Sequence, residues 1–247
     1  MIRAALFFLA LLPAGAAGAA CTPVTFDGAA FTTCRVDLAT DDLRLFLRDP
    51  DGAILGSFSR VQSILPDGKE LAVAMNAGMF HTDRAPVGLY IENGVEEMRL
   101  ITSDGPGNFG LLPNGVFCLT DDRAHVIESR AFADVGLDCR FASQSGPMLV
   151  IDGALHPRFI ADSDSLNIRN GVGVSPDGQT VWLAISDQPV NFDHFGRLFR
   201  DALETPDALF FDGRVSRLYA PEIGRGDIGF PVGPIIGTVV DAAGADG

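Results

Sequence analysis

Four short stretches of the chain combine small and polar residues next to apolar runs, and their side chains could bind or process a ligand. They cover residues 76–81, 143–147, 167–173 and 211–216. Polar groups at strand ends, on loops held by a rigid sheet, are where sites are commonly built. Glycines in these stretches would let backbone N–H groups approach an anionic ligand. The four stretches are therefore the candidate positions for a site.

The charged residues limit the classes of ligand. The formal net charge is -14, so a nucleic-acid partner is not expected, because phosphate neutralisation needs a basic patch. Lys69 is the only lysine; the other cations are arginines, whose fixed fork suits phosphate or carboxylate. GC-rich codon usage would also explain this bias. An anionic ligand is expected only where a few arginines converge.

Several common chemistries lack their sequence patterns. The chain contains no G-x-S-x-G nucleophile elbow, no H-E-x-x-H zinc motif, no C-x-x-C pair and no G-x-x-x-x-G-K-[ST] phosphate loop. We therefore expect no metal and no cofactor. Acidic residues are numerous enough for a structural calcium ion, but no calcium-ligand loop is recognisable.

The elements that would position these stretches are mostly short strands. Alternating or apolar runs predict strands over residues 43–48, 71–75, 87–91, 181–185 and 208–211. Asn-Gly and Asp-Gly pairs supply hairpin turns. Helices are predicted over 57–65 and 191–203, the second with Phe192, Phe195, Phe199 and Leu203 on one face. The pattern predicts a single α+β domain with a strand-rich mixed β-sheet core and few helices.

The N-terminus has the pattern of a secretory signal peptide. Arg3 precedes an apolar run over 4–12, Pro13 interrupts it, and only alanine and glycine follow up to Ala20. We predict a signal peptide at 1–19, a mature domain at 20–247, and a periplasmic or secreted protein. The run is shorter than the ~20 residues that span a bilayer, so stable membrane insertion is not expected. A buried N-terminal helix is the alternative, but Pro13 disfavours it.

Four cysteines fit an oxidising compartment: Cys21, Cys34, Cys118 and Cys139. Neighbourhood in the chain favours the disulfides Cys21–Cys34 and Cys118–Cys139, although four cysteines allow three pairings. Acylation of Cys21, as in a lipoprotein, would leave Cys34 without a partner.

Six segments in order resemble the phosphodiester glycosidase family, whose type member is the catalytic domain of N-acetylglucosamine-1-phosphodiester α-N-acetylglucosaminidase. Small exported bacterial members are closer still. The segments are MNAGMF (75–80), PVGL (86–89), GNF (107–109), QSGPML (144–149), IRNGVG (168–173) and FDGRVS (211–216). The chain departs from the family pattern at Ala77 and Arg214, where the family has glycine. The resemblance spans roughly Leu71 to Pro221.

The resemblance implies a hydrolase that cleaves a sugar-1-phosphodiester. In that role Arg169 would clamp the phosphate, and Asp212 would be the nucleophile or base. Asn76 and Ser145 would orient sugar or phosphate oxygens. Each residue could instead have a structural role. Arg169 could form an ion pair, and Asp212 could cap a turn. Asn76 and Ser145 could form local hydrogen bonds with the backbone.

Asp187 is a second candidate carboxylate. A gap of ~5 Å between two catalytic carboxyl groups favours retention, and one of ~6.5–9.5 Å favours inversion, so the sequence leaves the pathway open. The remaining expected substrate contacts are Gly78, His81, Arg84, Gln144, Gly146, Asn170, Gly213 and Ser216.

A non-catalytic module for binding glycans or assembling the envelope is the alternative on the same fold. Arg214 could mark lost catalysis. Such a module needs an aromatic platform, for which Trp182, Tyr90 and Tyr219 are the only tryptophan and tyrosines. The expected partner is a sugar phosphate or a glycan in either case, and the oligomeric state is left open.

Overall fold

The computed structural model describes residues 18–212 and 215–242. Residues 1–17 of the predicted signal peptide lie outside the described residues, as do Gly213 and Arg214. The cleavage site and any role of these two residues therefore stay predictions. None of the helices described is long and apolar enough to cross a membrane.

The strands form three sheets in which every pairing is antiparallel. The first sheet has seven strands, in the spatial order β1 (Ala20–Phe26), β2 (Ala29–Asp37), β13 (Thr180–Ser186), β12 (Asn170–Val174), β14 (Asp207–Asp212), β10 (Met148–Ile151) and β11 (Ala154–Leu155). The second has five, in the order β16 (Arg225–Gly226), β15 (Leu218–Ala220), β4 (Lys69–Asn76), β17 (Ile235–Asp241) and β3 (Asp42–Phe46). The third also has five, in the order β6 (Val95–Met98), β5 (Tyr90–Glu92), β9 (Phe141–Ser145), β7 (Gly115–Leu119) and β8 (Ala124–Glu128).

The largest hydrophobic core receives side chains from all three sheets. Val172 and Leu183 come from the first sheet, Val73 and Met75 from the second, and Phe117 from the third. All five are fully buried. This shared core makes the sheets one folding unit and fixes the ends of β4, β12 and β14 relative to one another.

Short helices cover the outer faces. α1 (Phe58–Ile64) packs on the second sheet, α2 (Ser129–Val135) on the third, and α3 (Phe192–Arg197) on the first. Asn191 caps α3 by accepting from the backbone of His194 at 2.8 Å. α3 continues into a π-helical turn over Leu198–Ala202, and a 3₁₀ turn covers Pro221–Ile223.

Both neighbouring cysteine pairs form disulfides, Cys21–Cys34 and Cys118–Cys139. The first joins directly opposed residues of β1 and β2. Its formation leaves no thiol at Cys21 for acylation. The predicted pairing is confirmed, and it is compatible with a secreted or periplasmic protein.

The prediction of a single strand-rich α+β domain is confirmed, with the strands divided among three sheets. The predicted helix over 191–203 corresponds to α3 and its π-helical turn. Two of the four polar stretches differ from expectation, because Ser143–Ser145 lies inside β9 and Asn170–Gly173 inside β12 rather than on loops.

Candidate functional site

Asn170 joins strand ends from two sheets. It opens β12, and its side-chain amide donates to the backbone oxygen of Asn76 at 2.8 Å and to Asn76 Oδ1 at 3.1 Å. Its Oδ1 accepts from the backbone N–H of Asp212 at 3.0 Å and from Ser216 Oγ at 3.3 Å. With these bonds made, Asn170 positions its neighbours rather than contacting a ligand.

Ser216 and Asp212 are held together at the end of β14. Ser216 Oγ lies 2.6 Å from the backbone oxygen of Asp212 and 3.2 Å from that of Ile168. Asp212 is 8% exposed. The backbone that carries its carboxyl group is therefore fixed from both sides, through its N–H by Asn170 and through its C=O by Ser216.

Arg217 brings a buried cation to the same cluster. Its backbone N–H donates to Asn76 Oδ1 at 2.9 Å, and its Nη1 donates to the backbone oxygen of Gly229 at 3.2 Å. The side chain is 7% exposed, yet Nε and Nη2 have no hydrogen-bond partner among the described residues. The side-chain nitrogen of Asn76 is also buried without a partner there.

These unpaired donors have a thermodynamic consequence. A buried donor without an acceptor costs roughly 1–3 kcal/mol, and more when it is charged. Burial lowers the pKa of the Arg217 guanidinium, and Asp227 partly offsets this effect. An anionic ligand with oxygens at Arg217 and Asn76 would satisfy all three nitrogens.

Two cavities meet at Arg217. The first has a volume of about 320 Å³ and is lined mostly by polar residues, including Asp187, Ser216 and Arg225. The second has a volume of about 460 Å³ and is lined by Phe58 and Tyr219 among others. The side chain of Arg217 lines both.

Asp187 lies at the polar cavity as one partner of an ion pair. Arg225 Nη1 contacts Asp187 Oδ1 and donates to Thr32 Oγ1 at 2.8 Å. Arg225 Nη2 also pairs with Asp227 at 3.1 Å. Burial opposes protonation of Arg225, but its hydrogen bonds to Asp227 and Asp187 raise its pKa. The expected second carboxylate is thus placed beside Ser216 and Arg217, with its charge compensated.

Arg169 does not take part in the hydrogen bonds of this cluster, and its expected role as a phosphate clamp stays a prediction. Its Nε donates to the backbone oxygen of Val190 and its Nη2 to that of Ser165, both at 2.8 Å. The guanidinium carbon lies 3.5 Å from the centre of the Phe192 ring. Successive residues of a strand face opposite sides of the sheet, so Arg169 lies under α3 while Asn170 faces Asn76.

The residues of the second polar stretch, 143–147, are bonded or packed against other parts of the protein. Ser145 Oγ donates to the backbone oxygen of Phe211 at 2.7 Å. Gln144 Oε1 accepts two backbone N–H bonds, and its Nε2 donates to Ser129 and to the backbone oxygen of Ile101. A Cβ at Gly146 would lie 2.6 Å from that of Asn114. All three residues therefore have internal bonds or close packing partners, and their expected substrate contacts stay predictions.

The stretch after β4 forms a hairpin tip. His81 is exposed, and its backbone N–H donates to the oxygen of Ala85 at 2.9 Å. Arg84 lies over the ring of Phe80 at 5.1 Å. A Cβ at Gly78 would lie 2.7 Å from Ser143 Oγ. Among the described residues, none of these takes part in the hydrogen bonds that define the Asn170 cluster.

Within residues 18–212 and 215–242, no group of three or more histidine, cysteine, aspartate or glutamate side chains is arranged to hold a metal ion. The expectation of a site without metal or cofactor stays a prediction.

Arg217 is the site residue that the sequence reasoning missed. It directly follows Ser216, the last residue of the sixth family segment, and precedes β15. An arginine between a polar segment and an apolar strand is a sequence pattern that could have indicated a site residue. However, the sequence did not show that its guanidinium would be buried with Nε and Nη2 unpaired among the described residues.

The comparisons with known proteins agree with the fold. The phosphodiester glycosidase family model matches residues 69–228. An Escherichia coli (strain K12) relative, named uncharacterized protein YigE, is 33% identical over 215 residues, covering 87% of this chain and 83% of the relative. The zebrafish N-acetylglucosamine-1-phosphodiester α-N-acetylglucosaminidase catalytic domain, auto-inhibited by its pro-peptide, has a TM-score of 0.59 at 13% identity, covering 89% of this chain and 81% of that one. A hypothetical protein from Synechocystis has a TM-score of 0.58 at 13% identity, covering 89% of this chain and 61% of its own. By the family match and the relative, the chain belongs to the phosphodiester glycosidase family.

Proposed function

We propose that this protein is a hydrolase that cleaves a sugar-1-phosphodiester. The observation that carries the proposal is Arg217, a buried guanidinium with two nitrogens that have no partner in the described part of the chain, placed where two cavities meet. The phosphodiester anion would bind there, with the unpaired amide nitrogen of Asn76 as a further donor. Charge-assisted bonds of this kind are about twice as strong as neutral ones.

Bond cleavage would occur between the anomeric carbon and the bridging oxygen. The phosphate leaves with the electron pair, and water supplies the hydroxyl group of the freed sugar. Arg217 would stabilise the negative charge that develops on the leaving group. Because phosphate is a good leaving group, this site has less need of a strong general acid than ordinary glycoside hydrolysis has.

A carboxylate would assist attack at the anomeric carbon. Asp212 is our first candidate, because Asn170 and Ser216 fix its backbone at the end of β14. Asp187 is the second, because it lines the polar cavity with Arg217. In that cavity the ion pair of Asp187 with Arg225 would hold sugar hydroxyl groups.

The test is hydrolysis of a panel of sugar-1-(aryl phosphate) diesters by the mature chain and by Arg217→Gln, Asp212→Asn and Asp187→Asn. We expect Arg217→Gln to lose about 10²–10³-fold in kcat/KM, and loss of the catalytic carboxylate to cost roughly 10²–10⁴-fold. The control is Arg44→Gln, which removes an arginine from β3 at the far edge of the second sheet. Isotopically labelled water should deliver its oxygen to the sugar.

Two outcomes would contradict the proposal. Oxygen delivered to the phosphate would indicate a phosphodiesterase instead. Glycan binding with no hydrolysis of any diester would favour the non-catalytic module, for which Phe58 and Tyr219 offer neighbouring rings 6.0 Å apart at the second cavity.

A further inference from the structure

The second cavity at Arg217 differs in chemistry from the first. It is the larger of the two, at about 460 Å³ against about 320 Å³. Phe58, Tyr219 and Ile228 provide apolar walls, and Ser57, Ser59 and Gln62 contribute polar groups. Asp227 lines both cavities, and only the first also contains the charged pair Asp187 and Arg225. Arg217 thus separates a polar compartment from a more apolar one.

Exposed apolar side chains accompany the second cavity. Ile228 lines both cavities and is nevertheless 97% exposed, and Phe230 is 77% exposed two residues later. Large exposed hydrophobic residues close together in the chain and next to a cavity are typical of a ligand-binding surface.

We infer that the second cavity binds the group on the far side of the phosphate, and that this group is an apolar alkyl or aryl aglycone. The inference rests on the proposed function. A phosphodiester has two substituents on one anion, and Arg217 lines two cavities of unlike polarity. With the phosphate at Arg217, the sugar occupies the polar cavity and the aglycone lies against Phe58, Tyr219 and Ile228.

The experiment compares diesters of one sugar that carry methyl, butyl or octyl groups on the phosphate. Each buried methylene contributes roughly fourfold to relative binding, so kcat/KM should rise with chain length until the cavity is filled. Binding of methyl phosphate and octyl phosphate, measured by calorimetry, gives a second readout that does not depend on hydrolysis. We expect octyl phosphate to bind more tightly.

Three surface variants locate the effect. Ile228→Ser should lower the octyl-to-methyl ratio of kcat/KM by about tenfold, and Ser59→Leu should raise it by adding apolar surface. Ile160→Ser is the matched control, since Ile160 is 68% exposed but lines neither cavity. The octyl diester is measured both dispersed and in phosphatidylcholine vesicles, and a preference over the methyl diester in either form supports the inference.

The outcomes separate the two proposals. Equal hydrolysis and equal phosphate binding along the series would overturn the apolar aglycone while leaving the hydrolase intact. Absence of hydrolysis of every diester would contradict the proposed hydrolase function. Tighter binding of octyl phosphate than of methyl phosphate would then still show that the second cavity prefers an apolar group. An equal effect of Ile160→Ser would also overturn the assignment, because it would indicate a non-specific surface.

Discussion

Arg169 and Arg217 are both buried arginines, but their nitrogen atoms have different surroundings. Arg169 donates to two backbone carbonyl groups and stacks on Phe192. Arg217 keeps two buried nitrogens without partners among the described residues. Burial lowers the pKa of both groups, that of Arg169 to about 10, so Arg169 is still protonated at neutral pH. The contacts of Arg169 indicate a structural role, and the two nitrogens of Arg217 are the donors that we propose bind the ligand.

Replacing each arginine by methionine should separate these roles. Arg169→Met leaves the oxygens of Ser165 and Val190 without their donor, so we expect a loss of roughly 1–3 kcal/mol in the free energy of unfolding and little change in kcat/KM of the folded protein. Arg217→Met removes a buried cation whose Nε and Nη2 have no hydrogen-bond partner among the described residues, so stability should be unchanged or higher while activity is lost. Urea unfolding and diester hydrolysis measure the two effects. Equal destabilisation by both variants would show that Arg217 is also structural.

The sequence identified the segments of the site more reliably than the side chains. Asn76, Asn170, Asp212 and Ser216 do converge, and Asp187 lies nearby. The backbone and ring contacts of Arg169 could not be predicted, because its position in a family segment does not reveal which face of the sheet the side chain occupies. That face depends on long-range packing, and a shift of one residue exchanges the two faces.

At the scale of elements, two glycines of β12 explain how α3 packs on the first sheet. A Cβ at Gly173 would lie 2.7 Å from a ring carbon of Phe199 and 2.7 Å from Thr205 Oγ1. One at Gly171 would lie 2.6 Å from the backbone oxygen of Leu209. Glycines of this stretch were expected near an anionic ligand, but Gly173 allows close approach of the π-helical turn after α3, and Gly171 that of β14.

Gly173→Ala should therefore overpack this layer. We expect a loss of about 1–3 kcal/mol in the free energy of unfolding, measured by urea denaturation. Gly105→Ala is the matched control, because a Cβ there would have no neighbour closer than 4.0 Å. Equal stability of Gly173→Ala and the parent protein would mean that α3 can move away at no cost.

Elements with regular apolar periodicity were predictable, and polar buried strands were not. α1, α3, β4 and β13 follow their expected patterns. β9, with the sequence Phe-Ala-Ser-Gln-Ser, is buried throughout, although three of its five residues are polar. Bonds from Gln144 and Ser145 to distant backbone groups satisfy these side chains, and only the folded chain shows those partners.

For the whole molecule, the disulfides restrict the unfolded chain. Cys118–Cys139 closes a loop with a sequence separation of 21 and lies in the outer cluster under α2. Replacing both cysteines by alanine should lower the free energy of unfolding by about 3 kcal/mol, with the loss visible in urea titrations. A reducing agent should destabilise the parent protein at least as much, because it also opens Cys21–Cys34. An unchanged midpoint in the double variant would contradict a stabilising role.

His156 should make the stability of the whole domain depend on pH. Its ring is buried and stacks on Phe159 with ring centroids 4.8 Å apart. Burial lowers its pKa below the usual 6.5, an effect that the carbonyl groups of Leu112 and Pro113 oppose and the charge of Arg158 reinforces.

The sign follows from proton linkage. Below pH 6.5 the unfolded chain protonates this imidazole while the folded chain resists protonation, so the unfolded state binds more protons and stability falls with falling pH. Above that pH the effect disappears. His156→Gln should therefore show a smaller loss of unfolding free energy between about pH 7 and pH 5.5 than the parent protein. A residual slope is expected from His125, whose pKa burial also lowers.

The control for this titration is His81→Gln, which removes an exposed imidazole at the hairpin tip. Urea unfolding is measured for this variant, for His156→Gln and for the parent protein at the same series of pH values. A His156→Gln curve parallel to that of the parent protein would show that the buried ring takes up its proton in the folded chain as readily as in the unfolded chain, and the slope would then have to originate in His125 and the carboxylates.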